Sequence, residues 1–190
     1  MRITAAFVLL FLPFATHAAG GYVGVGAGSF DYSEQGDGVT VLADLNDTTT
    51  SYSLYGGYEF FKYLAVEGSW GRSGEIRGTV PIVVPGRGPL AFDISAEYDI
   101  AAVRAVGFLP VGKKVRLLGS LGMYDLKLSS TGVAPSFPTV NAETDDTGLG
   151  LMLGVQFDVG HVAIRARYET YNTESNLDIA DLGIGFSVRF

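Results

Sequence analysis

Cysteine is absent from this 190-residue sequence, histidine occurs only twice, and charged residues make up only 17% of the chain. Without cysteine there are no disulfides, no cysteine-based zinc sites and no thiol nucleophile. The formal net charge of −7 argues against nucleic acid as a partner, because phosphate binding needs a surplus of Lys and Arg. Beyond the N-terminal segment, no apolar run approaches the roughly 20 residues of a membrane-spanning helix. Yet 47% of the residues are hydrophobic and the mean hydropathy is +0.27, which is high for a soluble domain.

The N-terminal segment has the layout of a secretory signal peptide. A positive start at Arg2 precedes an apolar run over 5–15, and small residues follow up to Ala18. The alternative is a buried or anchoring helix, but this run is too short to cross a bilayer. We therefore predict a signal peptide over 1–18, cleaved between Ala18 and Ala19, and one exported domain over 19–190.

The remainder of the chain alternates apolar and small or polar residues with a period of two, which is typical of β-strands with one apolar face. The clearest example is the C-terminal segment, where every second residue from Leu182 to Phe190 is apolar. Each predicted strand reaches the roughly 9–11 residues that cross a bilayer when tilted. The pattern predicts eight strands, over about 21–32, 49–60, 62–73, 94–109, 114–128, 146–158, 161–172 and 179–190.

The predicted connections alternate between short and long. Three are tight turns near Phe61, over 110–113 and over 158–160, whereas the others are mostly longer, at about 33–48, 74–93, 129–145 and 173–178. Short turns at one end and long loops at the other are typical of a transmembrane barrel, with the long loops outside. The fourth and fifth strands fit the alternation least well. Arg104 falls in phase with apolar neighbours and Leu126 is out of phase with Leu117, so we predict a bulge in each strand.

The position of the charged residues distinguishes a membrane barrel from a soluble one. Charges alternate with glycines on the non-aliphatic face of the last three predicted strands. They could form the solvated outside of a soluble barrel, but such a surface would carry more Lys and Glu. Inside a narrow eight-stranded barrel, arginines would need carboxylate partners. We therefore predict a luminal charge network of Glu59, Glu67, Arg116, Arg165, Arg167, Glu169, Asp181 and Arg189.

Aromatic residues support the membrane interpretation, because amphipathic rings collect at the two membrane interfaces. One predicted girdle, at the short-turn end, consists of Phe60, Phe61, Tyr63, Phe108, Phe157 and Phe190. The other, towards the long loops, consists of Tyr32, Tyr52, Trp70, Tyr98, Tyr124 and Tyr168.

Three stretches resemble the small outer-membrane β-barrel family that includes the OmpA transmembrane domain and OmpX-like proteins. They are the glycine-rich opening over 21–26, the hairpin over 57–67 and the alternating end over 182–190. The resemblance implies an all-β, eight-stranded antiparallel up-and-down barrel in the bacterial outer membrane, in contact with lipid and lipopolysaccharide. It also implies a C-terminal signal that is read by the barrel assembly machinery, formed by Leu182, Ile184, Phe186, Val188 and Phe190.

Motifs for chemistry are few. The Gly107-x-x-x-x-Gly112-Lys113 spacing is that of a phosphate-binding loop, but Lys114 replaces the Ser or Thr that binds magnesium, and a strand follows instead of a helix. The single histidine after the signal segment, His161, lies in a predicted turn, away from the long loops. Acidic loop residues contain no calcium-binding loop and are interpreted as a solvated rim. We expect no cofactor, no metal and no enzymatic activity.

Three functions remain. The favoured one is a structural or surface-interaction barrel without a wide pore, whose long loops meet a partner outside the cell, because paired charges would fill so narrow a lumen. The second is a narrow channel for ions or small solutes. The third is a lipid A-modifying enzyme, which would need a serine activated by histidine.

Overall fold

The computed structural model describes residues 20–34, 48–84, 88–133, 139–172 and 177–190. The predicted signal peptide, 1–18, lies outside these ranges. No helix in them is long and apolar enough to cross a membrane. The secondary structure of the described residues consists of the strands β1 Gly20–Glu34, β2 Thr48–Phe61, β3 Leu64–Ser73, β4 Ile76–Val84, β5 Gly88–Pro110, β6 Val115–Val133, β7 Val140–Val159, β8 Val162–Asn172 and β9 Leu177–Arg189.

The strands form one closed antiparallel barrel. Consecutive strands pair with each other, except β3 and β4, and β1 pairs with β9 to close the ring. Both β3 and β4 pair with β5, one after the other along its length, with a break at Gly74 and Glu75. They therefore occupy one position in the barrel wall, which has eight strands around its circumference. The predicted eight-stranded antiparallel fold is confirmed.

The barrel has two unlike ends. At the "turn end", β2 is joined to β3 by Lys62 and Tyr63, β5 to β6 by residues 111–114, and β7 to β8 by Gly160 and His161. Gly160 has a φ of +63°, a left-handed conformation that glycine adopts without steric cost. Gly21 and Phe190 also meet at this end, where the Phe190 amide donates to the Gly21 carbonyl. We call the opposite end the "loop end".

The outer surface carries an apolar band. Along β7 the exposed residues from Leu149 to Val159 occupy alternate positions, and Leu153 is 67% exposed. This stretch covers about the length that crosses a bilayer. Large apolar residues thus lie outside and the charged residues of the last strands lie inside, which is the arrangement of a membrane barrel rather than a soluble one.

The predicted bulges in the fourth and fifth strands are wrong. β5 and β6 pair without interruption from Asp93–Val133 to Pro110–Arg116. A register shift does occur in the barrel, but between Glu59 and Phe61, beside a turn. The apparent change of phase has another cause, since these two strands have apolar residues on both faces. The apolar residues that face inward on them are Tyr98, Ile100, Val106, Phe108, Leu118, Tyr124 and Leu126.

The aromatic girdles are correspondingly smaller than predicted. Phe108, Tyr98 and Tyr124 are buried inside the barrel. The Tyr32 side chain lies outside the described part of the molecule. The remaining members are exposed on the outer surface: Phe60, Phe61, Tyr63, Phe157 and Phe190 at the turn end, and Tyr52, Trp70 and Tyr168 towards the loop end.

Two predicted loops, 74–93 and 129–145, are instead largely strand. β4 and β5 form a hairpin beyond the last β3–β5 pair, Arg72–Asp99, and β6 and β7 form another beyond the last β7–β8 pair, Leu149–Asn172. These hairpins are paired to each other through β5 and β6. Together they make a four-stranded sheet of residues 76–84, 88–97, 125–133 and 140–147, which we call the "extension". Measured along the tilted strand β7, it extends about 30 Å beyond Leu149, at roughly 3.4 Å per residue.

Candidate functional site in the lumen and at the loop end

The lumen contains a charged cluster near the turn end. Arg116 of β6 donates to both carboxylate oxygens of Glu59, at 3.0 and 3.1 Å, and its Nε lies 3.0 Å from Asp158. Arg189 donates to Asp158 at 2.7 Å and lies 3.6 Å from Glu59. The Phe108 ring packs 4.2 Å from the Arg116 guanidinium. Two arginines and two carboxylates therefore neutralise each other at this level of the barrel.

A second cluster lies at mid-height and is more deeply buried. Glu67 is fully buried and accepts hydrogen bonds from Arg165 at 2.6 Å and from the Tyr22 hydroxyl at 2.8 Å. Arg104 lies 3.6 Å from Glu67 and 2.9 Å from Glu169, so it links the carboxylates of β3 and β8 across the lumen. Such buried charges are tolerated only when they are paired and hydrogen-bonded.

The cluster continues towards the loop end. Arg167 lies 3.2 Å from Glu169 and 3.6 Å from Asp181, and it donates to the Ser53 hydroxyl at 2.7 Å. Asp181 also accepts a hydrogen bond from Ser51. Small residues on β1, β2 and β9 make room for these side chains. A Cβ at Gly26 would lie 2.7 Å from the Ser53 hydroxyl to which Arg167 donates, and one at Gly28 would lie 2.9 Å from the Asp181 carboxylate.

The structure places all eight side chains of the predicted luminal network inside the barrel, and every one of them lies within 4 Å of an opposite charge in the network. It adds Arg104 and Asp158, which the sequence analysis missed. The apolar neighbours of Arg104 on β5 conceal its inward direction in the sequence, and Asp158 lies where a predicted strand meets a predicted turn. With them, the network contains five arginines and five carboxylates and carries no net charge.

Apolar layers separate and close these polar layers. One cluster surrounds the mid-height and turn-end charges and consists of Tyr22, Tyr55, Ala65, Val106, Phe108, Leu118 and Met152. Another fills the lumen at the loop end and consists of Phe30, Ile76, Tyr98, Ile100, Tyr124, Leu126, Tyr171 and Ile179. Because packed side chains occupy the interior at successive heights, the described residues leave no wide channel along the axis.

The proposed assembly signal lies on the lipid-facing surface of β9. Leu182, Ile184, Phe186 and Val188 are each more than half exposed, and Phe190 is 79% exposed at the turn end. Their backbones pair with β1 and β8 on either side, so the segment is a full member of the barrel wall. Its apolar face is therefore available to lipid along its whole length.

The outer face of the extension is polar and acidic. Glu97, Asp125, Glu143 and Asp145 are exposed there, with Lys127 among them. Glu97 and Glu143 flank Ser129 across three strands, and Lys127 pairs with Asp145. On the inner face, Ile76 and Leu126 belong to the apolar cluster at the loop end, and Leu128 packs against it.

At the base of the extension, Arg77 donates a hydrogen bond of 2.6 Å to Glu75, which lowers the pKa of that carboxyl and keeps it ionised. Among the described residues no three His, Asp or Glu side chains are grouped to hold a metal ion.

Solved structures with a similar fold include outer-membrane proteins. Ail, the attachment invasion locus protein of Yersinia pestis, is 20% identical with a TM-score of 0.61, and the match covers 90% of this chain and 99% of that one. Ail has also been crystallised in complex with the heparin analogue sucrose octasulfate. OprG from Pseudomonas aeruginosa is 16% identical with a TM-score of 0.60, covering 92% and 97%. Neisserial surface protein A is 16% identical with a TM-score of 0.56, covering 92% and 100%.

At these identities the likeness concerns the fold alone. A comparison with curated protein sequences found no match. The sequence profile described as "Outer membrane protein beta-barrel domain" matches residues 3–190, which is nearly the whole chain. The profile, the closed eight-stranded barrel and its apolar outer band all agree with the family resemblance and with a location in the bacterial outer membrane. The chain therefore belongs to the outer membrane protein beta-barrel domain family.

Proposed function

We propose that this protein is a sealed barrel that presents the extension to partners outside the cell. The observation that carries the proposal is the length of β5, β6 and β7, which have 23, 19 and 20 residues. Only about 9–11 tilted residues are needed to cross a bilayer. The surplus forms a hydrogen-bonded sheet rather than irregular loops, so it holds a defined surface at a fixed height above the membrane.

The orientation follows from the unlike ends. Outer-membrane barrels have short periplasmic turns and longer external connections. We therefore place the turn end in the periplasm and the extension outside. External loops on a rigid scaffold are where such proteins carry their contacts.

The charge of the extension favours a cationic partner. Its outer face carries Glu97, Asp125, Glu143 and Asp145 as exposed carboxylates, and such a surface attracts positive charge and repels sulfated polysaccharides. We accordingly do not transfer the heparin-analogue binding of Ail to this chain. The acidic residues on β7 also discourage pairing of its outer edge with a second copy.

Removal of the extension tests this function. A trimmed variant would lack residues 73–98 and 125–147, and with them all four carboxylates, each segment being replaced by Asn-Gly, which joins the paired positions Arg72–Asp99 and Tyr124–Gly148 through tight turns. The wild type in neutral phosphatidylcholine nanodiscs should bind immobilised polylysine, and the trimmed barrel should lose this binding. A variant with Glu97→Gln, Asp125→Asn, Glu143→Gln and Asp145→Asn keeps the sheet and should behave like the trimmed barrel. Equal binding by all three proteins would exclude the extension as the contact surface.

An enzymatic role has less support in the geometry. Lipid A modification needs a serine that is activated by a histidine beside the outer leaflet. His161 lies at the turn end, which the proposed orientation puts in the periplasm. We therefore propose a binding rather than a catalytic function. The purified protein should release no fatty acids from lipopolysaccharide. Release that is lost on His161→Ala would support a catalytic function instead.

We also propose that residues 1–18 are a cleaved signal peptide. The protein isolated from outer membranes should then begin at Ala19, which N-terminal sequencing would establish. A mature protein that still began with Met1 would contradict the proposal.

A further inference from the structure

A groove lies on the membrane-facing surface near the turn end. Its centre is the cross-strand pair Gly107–Gly119 of β5 and β6. Larger side chains surround this pair, since Leu109 pairs with Leu117 on the turn side and Leu153 pairs with Gly119 on β7. The groove has a volume of about 400 Å³ and is lined mainly by the apolar side chains of Tyr63, Leu109, Leu117 and Leu153.

Packing does not require these two glycines. A Cβ added at Gly107 would meet its nearest atom at 3.6 Å, and one added at Gly119 would meet Leu153 at 3.7 Å. These are ordinary van der Waals distances, in contrast to the contact of 2.5 Å that a Cβ at Gly24 would make in the lumen. A larger residue would therefore be tolerated, and glycine keeps the groove open.

Positive charge borders the groove at the turn end. Three of the four lysines of the sequence, Lys62, Lys113 and Lys114, lie in the two turns beside it. The Lys62 ammonium is 5.5 Å from the centroid of the Tyr63 ring, which is a wall of the groove. Among the described residues, no carboxylate lies within 4 Å of these ammonium groups, because the acids at this end are paired with arginines in the lumen.

We propose that the groove and the three lysines form a binding site for an anionic phospholipid. The groove opens onto the hydrocarbon region, so an acyl chain is the occupant that its apolar walls accept. The ammonium groups lie where the headgroup would be, and they favour a phosphate with net negative charge over a zwitterionic headgroup. This site is on the barrel wall and is independent of the extension and its proposed partner.

Lipid selectivity in reconstituted barrels tests the site. The folded protein is placed in phosphatidylcholine bilayers that contain spin-labelled phosphatidylglycerol or spin-labelled phosphatidylcholine, and the motionally restricted fraction of each is measured. The wild type should prefer phosphatidylglycerol. Lys62→Gln, Lys113→Gln and Lys114→Gln together should abolish the preference, because each lysine contributes about a fivefold difference in affinity. Gly119→Leu, which fills the groove but retains the lysines, should also abolish it.

Two matched variants serve as controls. Gly68→Leu adds the same side chain to the outer surface of β3, where a Cβ meets nothing closer than 3.9 Å, and Lys127→Gln removes a lysine at the loop end. Both should keep the preference, and all variants should show heat-dependent migration in SDS gels as evidence of folding. An unchanged preference in the triple lysine variant overturns the site. If the preference is lost in that variant but kept in Gly119→Leu, the acyl chain does not bind in the groove. Displacement of phosphatidylglycerol by lipid A, but not by cardiolipin, overturns the phospholipid assignment.

Discussion

At the scale of single residues, Glu67 illustrates how the lumen is stabilised. Its carboxylate is fully buried, accepts hydrogen bonds from Arg165 and Tyr22, and lies 3.6 Å from Arg104. The desolvation of these charges is offset only while the pairs remain intact. The stabilising contribution of the network therefore depends on every member having its partner.

Replacement of Glu67 should accordingly be costly. Glu67→Ala leaves the fully buried Arg165 without its carboxylate, and loss of one partner from a buried pair destabilises proteins by about 3–5 kcal/mol. Urea unfolding in lipid vesicles would measure the change. Glu97→Ala, an exposed position on the extension, is the matched control and should leave the free energy of unfolding unchanged. Similar values for the two variants would contradict a stabilising role for the luminal pairs.

Some luminal glycines are required by close packing. A Cβ at Gly24 would lie 2.5 Å from both the Phe186 carbonyl oxygen and the Tyr55 ring, and neither of these atoms is at the end of a flexible chain. Gly24→Ala should therefore lower the free energy of unfolding by about 1–3 kcal/mol, as overpacking does. Gly119→Ala introduces the same atom on the outer surface at 3.7 Å and should be neutral. If both variants unfolded at the same urea concentration, the close approach of Tyr55 would not matter for stability.

At the scale of elements, β9 combines a structural and a proposed targeting role. Phe190→Ala should reduce the amount of folded protein in the outer membrane several-fold, because the exposed terminal aromatic is part of the proposed assembly signal. Phe61→Ala removes a similarly exposed ring at the same end and is the matched control. Heat-dependent migration of membrane-extracted protein would quantify the folded fraction. Equal assembly of the two variants would show that Phe190 is not part of the assembly signal.

The elements differ in how well the sequence predicted them. β8 and β9 have small or charged residues on one face and aliphatic residues on the other, so their orientation follows directly from the alternation. The orientation of β5 and β6 does not follow from the alternation, because inward positions such as Ile100 and Leu126 are as apolar as outward positions such as Val103 and Leu121. The extension was also missed, because the acidic and proline-containing segments that form it resemble loops in composition.

At the scale of the whole molecule, the filled lumen predicts a lack of conductance. Five arginines and five carboxylates are paired inside the barrel, and an apolar cluster that includes Phe30, Tyr98 and Tyr171 closes the loop end. Eight strands enclose an interior that side chains of this size fill. Purified protein in planar bilayers should therefore give no steady conductance steps. Reproducible steps of uniform size would support the channel function instead.

The sequence by itself determined that eight strands cross the membrane, where the tight turns are and which face of the last strands meets lipid. These are local properties, since side-chain direction alternates along any strand and a turn needs only its own residues. Only the tertiary structure decided which arginine pairs with which carboxylate, that Arg104 faces inward, and that two hairpins join into the extension. Those contacts connect strands far apart in the chain, and they depend on the register and closure of the barrel. Where both faces of a strand are apolar, as on β5 and β6, only the neighbouring strands determine which face is buried.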